Sequence, residues 1–251
     1  MKFPLLLTIL SIGLLTQAQP PLIHSHNDYQ QKEPLSNALR YQAFTIEADV
    51  YLVNNTLLVA HDTGELATAP SLEALYLQPI IALFAQYHGH ISTDSNYAPI
   101  LMIDIKREGP AVLKKLLSIL TPYPSVFNRS VNPHAVQMVI SGDRGSPLTW
   151  TSYPSLILFD GSPNENYDHA VLQKIAFISE AYSKYSRPAD STDTRIQRIA
   201  KQVHQQRKLL RLWAIPDDPA SWDHLHQLGV DIINTDHVAE CRKHFGLLIS
   251  H

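Results

Sequence analysis

The chain concentrates acid and imidazole side chains in a short stretch near its start. The stretch runs His24-Ser25-His26-Asn27-Asp28-Tyr29, then Glu47 and Asp49, then His61-Asp62. Glu47 and Asp49 lie within the apolar run from Phe44 to Val53. Two residues apart, they face the same side of a strand. Burying two carboxylates together is costly unless a cation or dense hydrogen bonding compensates. Asp104 and Lys106 repeat the spacing in Leu101-Met102-Ile103-Asp104-Ile105-Lys106. Three carboxylates converging from neighbouring strands make an oxygen-rich site for one hard divalent cation, Ca²⁺ or Mg²⁺. The plainer alternative is a self-satisfied network of carboxylates and lysine.

Imidazoles flank the acids. His24 and His26 share a face if one strand runs through both, and His24, the deeper, reads as a hydrogen-bonded core histidine. His26 falls where that strand opens into its loop, and His61 ends the apolar run Leu57-Leu58-Val59-Ala60. Two imidazoles beside a metal can divide the work of general base and general acid.

The elements that must position these groups are legible as apolar runs. Eight strands are expected: Leu22–His26, Phe44–Leu52, Ile100–Lys106, Val136–Gly142, Leu156–Asp160, Ile175–Ser179, Leu209–Ile215 and Val230–Asp236. Most are continuously apolar, as strands covered on both faces should be. Leu57–Ala60 reads as an added hairpin strand turned at Asn54-Asn55. Between the strands lies helical spacing: Val112, Leu113, Leu116, Leu117 and Leu120 behind Pro110, and Ile196, Ile199, Ala200 and Val203 behind a cap at Thr192 or Asp193. Further helices are expected over 71–88, interrupted near Pro79, over 218–228 and over 237–245.

Eight strands alternating with helices predict an α/β fold, a (β/α)₈ TIM barrel. The alternative is an open doubly wound sheet, weakened by the lack of a glycine-rich phosphate turn after the first strand. A barrel puts its active site at the C-terminal strand ends. His24, His26, Glu47, Asp49, Asp104 and Lys106 fall there. So do Ser141, Asp160 and Glu180 as pocket lining, Arg211 as a clamp for an anionic head group, and Trp213 and Tyr29 as stacking surfaces. Barrel-wall packing competes for Trp213. Asp236 reads as a second acid behind the site or as the N-cap of the last helix.

Residues 1–18 read as a signal peptide: Lys2, an apolar run from Phe3 to Leu15, and small residues before cleavage after Ala18. That run is too short to span a bilayer comfortably. Residues 19–251 then form a single barrel domain with no stable membrane span. With a net charge of −3 and no basic run, nucleic acid is not an expected partner. The lone Cys241 allows no internal disulfide, and an export signal without one predicts a secreted or periplasmic protein of a bacterial envelope. Cys241 itself reads as a packing residue.

The ordered set Ser25-His26-Asn27-Asp28-Tyr29, Glu47-Ala48-Asp49-Val50, Leu58-Val59-Ala60-His61-Asp62, Ile103-Asp104-Ile105-Lys106, Arg211-Leu212-Trp213 and Gly229 to Asp236 resembles the phospholipase-C-like phosphodiesterase superfamily. That superfamily includes glycerophosphodiester phosphodiesterases and phosphatidylinositol-specific phospholipases C. The Ser-His-Asn-Asp-Tyr opening is most similar to its altered-inheritance-of-mitochondria branch. The resemblance implies a phosphoric diester hydrolase of the PLC-like barrel type, acting on a small glycerophosphodiester or phospholipid head group. It makes His26 and His61 the catalytic pair and Glu47, Asp49 and Asp104 the metal ligands. Lys106 would stabilise phosphate charge, and Asn27 would touch metal or phosphate. Arg211 and Trp213 would contact substrate. Two departures stand out: His26 is followed by Asn27-Asp28 where glycerophosphodiesterases have Arg-Gly, and Asp104 replaces their usual Glu. Two rival readings are an amidohydrolase-type metal hydrolase on the same barrel and a non-catalytic barrel binding a phospho-ligand or glycan.

Overall fold

Each barrel strand is a short apolar run whose side chains alternate between two faces, and both faces are covered. In the computed structural model, residues 19–186 and 191–247 are described, and the expected leader at 1–18 lies outside them. Eight parallel strands form the barrel: β1 (Leu22–Ser25), β2 (Thr45–Val53), β4 (Ile100–Ile105), β5 (Gln137–Gly142), β6 (Ile157–Gly161), β7 (Ile175–Ala181), β8 (Leu210–Trp213) and β9 (Ile232–Thr235). β1 pairs in parallel with both β2 and β9, which closes the sheet and excludes the open doubly wound alternative. β3 (Thr56–Val59) returns antiparallel along β2. The two-residue turn between them holds Asn54 and Asn55 at positive φ, the conformation a tight hairpin demands and asparagine tolerates.

The inner face has two layers. Ile100, Met102, Val139, Phe177 and Ile232 form an apolar plug towards the N-terminal strand ends. Two residues further along the same face, Asp104, Ser141, Ser179 and Asn234 follow Met102, Val139, Phe177 and Ile232. The inward face therefore changes from hydrocarbon to polar within one step of each strand. The outward-facing residues, among them Ile103, Ile140, Ile178, Leu212 and Ile233, belong to the larger core beneath the helices.

The helices close that core. Short α1 (Ser36–Arg40) follows β1, and α2 (Gln78–Gln86) is preceded by a π-helical turn at Glu73–Leu77. The helical backbone runs on from that turn into α2, so Pro79 stands at the junction, where the π turn breaks the regular α ladder, the interruption expected there. α3 (Gly109–Leu120) buries Val112, Leu113, Leu116 and Leu120. α4 (Pro124–Phe127) and α5 (His169–Leu172) are single turns. α6 (Thr192–Gln205) buries the expected stripe, but its cap is Ser191, whose hydroxyl accepts from the Thr194 N–H, rather than Thr192 or Asp193. α7 (Pro219–Gln227) is capped by Asp218, and α8 (Val238–His244) buries Cys241. Burial pushes the Cys241 thiol up to about 12, as suits a packing residue.

Candidate active site

Parallel register assembles the acids. Asp49 of β2 lies beside Asp104 of β4, and Asp104 beside Ser141 of β5. Glu47, Asp49 and Asp104 each place one carboxylate oxygen within 4.8 Å of the others. Asp104 thus reaches the cluster despite its short side chain. Ser141 Oγ donates to Asp104 Oδ1 at 2.7 Å. Lys106 Nζ bridges Asp49 Oδ2 at 2.6 Å and Asp104 Oδ2 at 2.7 Å, and Tyr29 Oη donates to Asp49 Oδ2 at 2.9 Å. Asp49 Oδ1 is buried without a hydrogen-bond partner in the protein. Burial pushes the Asp49 carboxyl up to about 6 against the hydrogen bond and charge of Lys106, with Glu47 and Asp104 adding to the rise. Hard oxygens, one of them unpartnered, fit a divalent cation better than they fit one another. Among the described residues this acidic trio is the group able to hold one.

Beneath the trio lies a second buried network. His24 is fully buried. Its Nδ1 lies 2.6 Å from Thr45 Oγ1 and its Nε2 2.7 Å from Glu47 Oε2. The same Nε2 lies 2.8 Å from Arg211 Nη1, so the nitrogen that meets the Glu47 carboxylate meets the guanidinium as well. Burial, followed by the Arg211 charge, lowers the His24 pKa to about 4 against the pull of Glu47, which keeps the ring neutral. Burial also works against ionised Glu47, but the His24 hydrogen bond and the nearby cationic groups overcome it and hold the carboxyl well below its ordinary range. Arg211 spans the barrel interior. Its Nε donates to Ser179 Oγ at 2.9 Å, Nη1 to Asn234 Oδ1 at 3.2 Å, and Nη2 lies 3.5 Å from Asp160 Oδ2.

The mouth carries the remaining groups. His26 is partly exposed, and its Nδ1 lies 2.8 Å from Asp236 Oδ1. Asp236 is held in turn through its backbone N–H by Asp217 Oδ2, whose other oxygen accepts from Trp222 Nε1. Asp236 is therefore the partner of His26, and the N-cap position of α8 belongs to His237. Asn27 sits at φ 42°, a left-handed turn that asparagine tolerates. Asp28 anchors that turn from below, accepting from Ser25 Oγ, Leu35 N and Tyr76 Oη. His61 is exposed beyond β3, its backbone N–H bound by Glu65. Trp213 is 43% exposed rather than packed in the barrel wall. Tyr29, expected to stack on substrate, instead spends its hydroxyl on Asp49.

One cavity of about 470 Å³ is lined by His26, Asn27, Glu47, Asp49, His61 and Asp104. Lys106, Arg211 and Trp213 line it too, so the expected catalytic pair, metal ligands and substrate contacts meet there, whereas Tyr29, Asp236 and His24 do not line it. Ser141, Asp160 and Glu180 also line it, as expected. Arg144 and Ser162 line it without having been singled out. Both fall just past the end of a recognised strand, which is the signal that would have found them. Arg144 donates to the backbone carbonyl of Asp160 and pairs with Glu165.

The AIM6-like phosphodiesterase domain matches residues 13–144. Altered inheritance of mitochondria protein 6 of Eremothecium gossypii is 26% identical over 90% of this chain and 70% of that protein. Its homolog in Arthroderma benhamiae is 26% identical over 90% and 84%. In fold, the chain resembles a glycerophosphodiester phosphodiesterase from Parabacteroides distasonis, with a TM-score of 0.60, 16% identity, and coverage of 90% of this chain and 97% of that one. It also resembles an Oleispira antarctica phosphodiesterase in complex with the product sn-glycerol-3-phosphate, with a TM-score of 0.58, 14% identity, and coverage of 90% and 97%. These sequence relatives are yeast and fungal proteins, which points to a eukaryotic protein and overturns the expectation of a secreted or periplasmic bacterial-envelope location. An apolar run at the start of the sequence and a single cysteine do not identify the kind of cell. With more than half of its length matched by the family's profile and its acids, imidazoles and lysine gathered at one barrel mouth, this chain belongs to the AIM6-like phosphodiesterase family.

Proposed function

We propose that the protein is a divalent-cation-dependent phosphoric diester hydrolase acting on a small glycerophosphodiester or phospholipid-type head group. The observation that carries this reading is the meeting of His26, His61, Lys106 and the three carboxylates in one cavity. Among the described residues no helix is long and apolar enough to cross a membrane. The product bound to the Oleispira enzyme is a small phosphate ester, in keeping with a compact substrate.

Glu47, Asp49 and Asp104 would hold the cation, Ca²⁺ or Mg²⁺. When bound, it supplies Lewis-acid neutralisation of charge on the phosphoryl oxygens. Lys106, already at the acids, adds a second positive charge facing the phosphate. Asn27 offers an amide to a phosphoryl oxygen. Arg211, engaged by Ser179, Asn234 and Asp160, braces the floor on which substrate rests. Asp236 accepts the Nδ1–H of His26, which leaves Nε2 to face the reacting atoms. One histidine takes the proton of the nucleophile, either water or a neighbouring substrate hydroxyl. The new O–P bond forms as the ester O–P bond breaks, and the other histidine protonates the departing alkoxide.

Hydrolysis of bis(p-nitrophenyl) phosphate with and without divalent ions tests the reading. Turnover should require the ion and should fall roughly 10²-fold or more in His26→Ala, His61→Ala and Glu47→Ala. Phosphorus NMR of the product separates a cyclic from a linear phosphate. No turnover of any diester by a folded protein that still binds phosphate esters would favour a binding barrel. Stoichiometric zinc in the purified protein would favour the amidohydrolase-type reading.

A further inference from the structure

The turn that follows β1 is built on a buried carboxylate that the proposed chemistry does not use. Asp28 is fully buried, and its three donors are neutral: Ser25 Oγ at 2.9 Å, the Leu35 N–H at 2.6 Å and Tyr76 Oη at 2.9 Å. These bonds fasten a single 3₁₀ turn, Asp28–Gln30. The Gln30 N–H closes it on Asn27 O at 2.8 Å, and the Gln31 N–H on Asp28 O at 3.0 Å. Two side chains tie the turn to its neighbours. Gln31 Nε2 donates to the Asp236 carbonyl oxygen at 3.0 Å, just past β9. Tyr29 Oη lies 2.9 Å from Asp49 Oδ2 on β2, and 3.3 Å from Asn27 Oδ1. The hydroxyl has one proton, and the nearer, charged oxygen takes it. Tyr29 does not line the cavity, so its hydroxyl acts on the site through Asp49.

We propose that Tyr29 is a positioning residue whose hydroxyl fixes the Asp49 carboxylate for cation binding. This rests on the cation-dependent reading and deepens it. Asp49 Oδ2 has two donors, Tyr29 Oη and Lys106 Nζ, and they differ in kind. Lys106 is a point charge at the end of a flexible stem, and Asp104 shares it. A divalent cation held by the same acids repels that ammonium and frees it for the phosphate. A neutral hydroxyl feels no such repulsion. Tyr29 also needs little reordering, since Asp28 already fixes the turn that carries it. Tyr29 is thus the donor that keeps Asp49 in one orientation with the cation present or absent. A hydrogen-bond partner behind a metal ligand sets the ligand's direction, and its loss typically costs roughly 10- to 100-fold in metal affinity or activity.

The test uses the full chain and Tyr29→Phe, which removes one oxygen and keeps the ring. Calorimetry with Mg²⁺, or with Ca²⁺ if that ion binds more tightly, should show Kd rising about tenfold or more. Tyr97→Phe is the control. Tyr97 Oη donates to the Ala43 carbonyl, away from the cavity. Its loss should lower stability yet leave the cation Kd within about twofold of the wild type. In turnover of bis(p-nitrophenyl) phosphate, Tyr29→Phe should shift the cation concentration for half activation by the same factor as Kd. Excess cation should then restore kcat to within about threefold. A merely structural role would lower kcat beyond recovery by excess cation, or would weaken cation binding equally in Tyr97→Phe, and either result would overturn the proposal. So would an unchanged Kd in folded Tyr29→Phe. Weaker cation binding in Tyr29→Phe, in a protein that hydrolyses no phosphodiester, would sustain the Tyr29 assignment and sink the phosphodiesterase reading. Turnover by a wild type that binds no divalent ion would sink the assignment and leave phosphodiester hydrolysis standing.

Discussion

His26 depends on a residue 210 positions away in sequence, the Asp236 carboxylate at 2.8 Å from its Nδ1. A carboxylate there fixes which ring nitrogen carries the proton and where the other points. Asp236→Asn keeps the size of the side chain but can present an N–H to Nδ1 and favour the wrong tautomer. The expected result is a kcat loss of roughly 10- to 100-fold with KM little changed, an orienting effect like that of triad aspartates. A change confined to KM would place Asp236 in substrate binding instead. Asp160 allows a second prediction. Burial pushes its carboxyl up to about 6 despite the Arg211 charge, whereas an unfolded aspartate titrates near ~3.9. The folded chain therefore holds this proton where the unfolded chain has lost it. The resulting stabilisation is complete below about 3.9 and lost as pH rises through about 6. Asp160→Asn removes this titration, so the variant should gain on the wild type by on the order of 2 kcal/mol between pH 4 and pH 7 in urea denaturation. An offset independent of pH would show that Asp160 does not titrate in that window.

At the scale of elements, what was legible and what was not divide along physical lines. The eight strands were readable because a strand covered on both faces must be apolar along its length. Acids punctuating such runs, as at Glu47, Asp49 and Asp104, mark themselves by the cost of burial. The Glu47–Asp49 pair and the Asp104–Lys106 pair were equally readable, since alternation along a strand is a local rule. What the chain order concealed were contacts fixed by closure of the barrel. These include Asp236 reaching His26, Arg211 joining Asp160 to the Glu47–His24 floor, and Tyr29 turning its hydroxyl to Asp49. The cap of α6 lies one residue before the expected pair, because Ser191, Thr192 and Asp193 all have capping side chains and only the geometry chooses. Gly142 shows how closely elements constrain the site. It ends β5 at φ 67°, and a Cβ there would stand 2.3 Å from the Ile105 carbonyl oxygen and 2.9 Å from Asp104 Oδ1. Gly142→Ala should cost about 1–3 kcal/mol through the left-handed backbone and the clash. It should also displace Asp104 and weaken cation binding several-fold, which calorimetry with Mg²⁺ or Ca²⁺ would measure. Unchanged cation affinity would mean that Asp104 tolerates the shift or takes no part.

For the whole molecule, the barrel closes around a polar interior that its apolar plug supports from one end only. Glu47, Asp49, Asp104 and Asp160 all open on one cavity, answered from within by Lys106 and Arg211. A divalent cation bound only by the folded chain must stabilise it, by about 2.7 kcal/mol at a hundredfold excess over Kd. For a domain of this size each kcal/mol raises Tm by roughly 2–4 °C. Saturating Mg²⁺ or Ca²⁺ should therefore raise Tm by about 5–10 °C, chelation should reverse the rise, and Glu47→Gln should remove most of it. The location of the expected site sharpens the test. Because the three acids stand on β2 and β4 alone, cation binding should slow amide exchange most at the ends of these two strands and in the turn that follows β1, and least around α6 on the far side. A Tm rise with uniform protection would indicate nonspecific ion binding, and no rise with Mg²⁺, Ca²⁺ or Mn²⁺ would remove the cation from the mechanism.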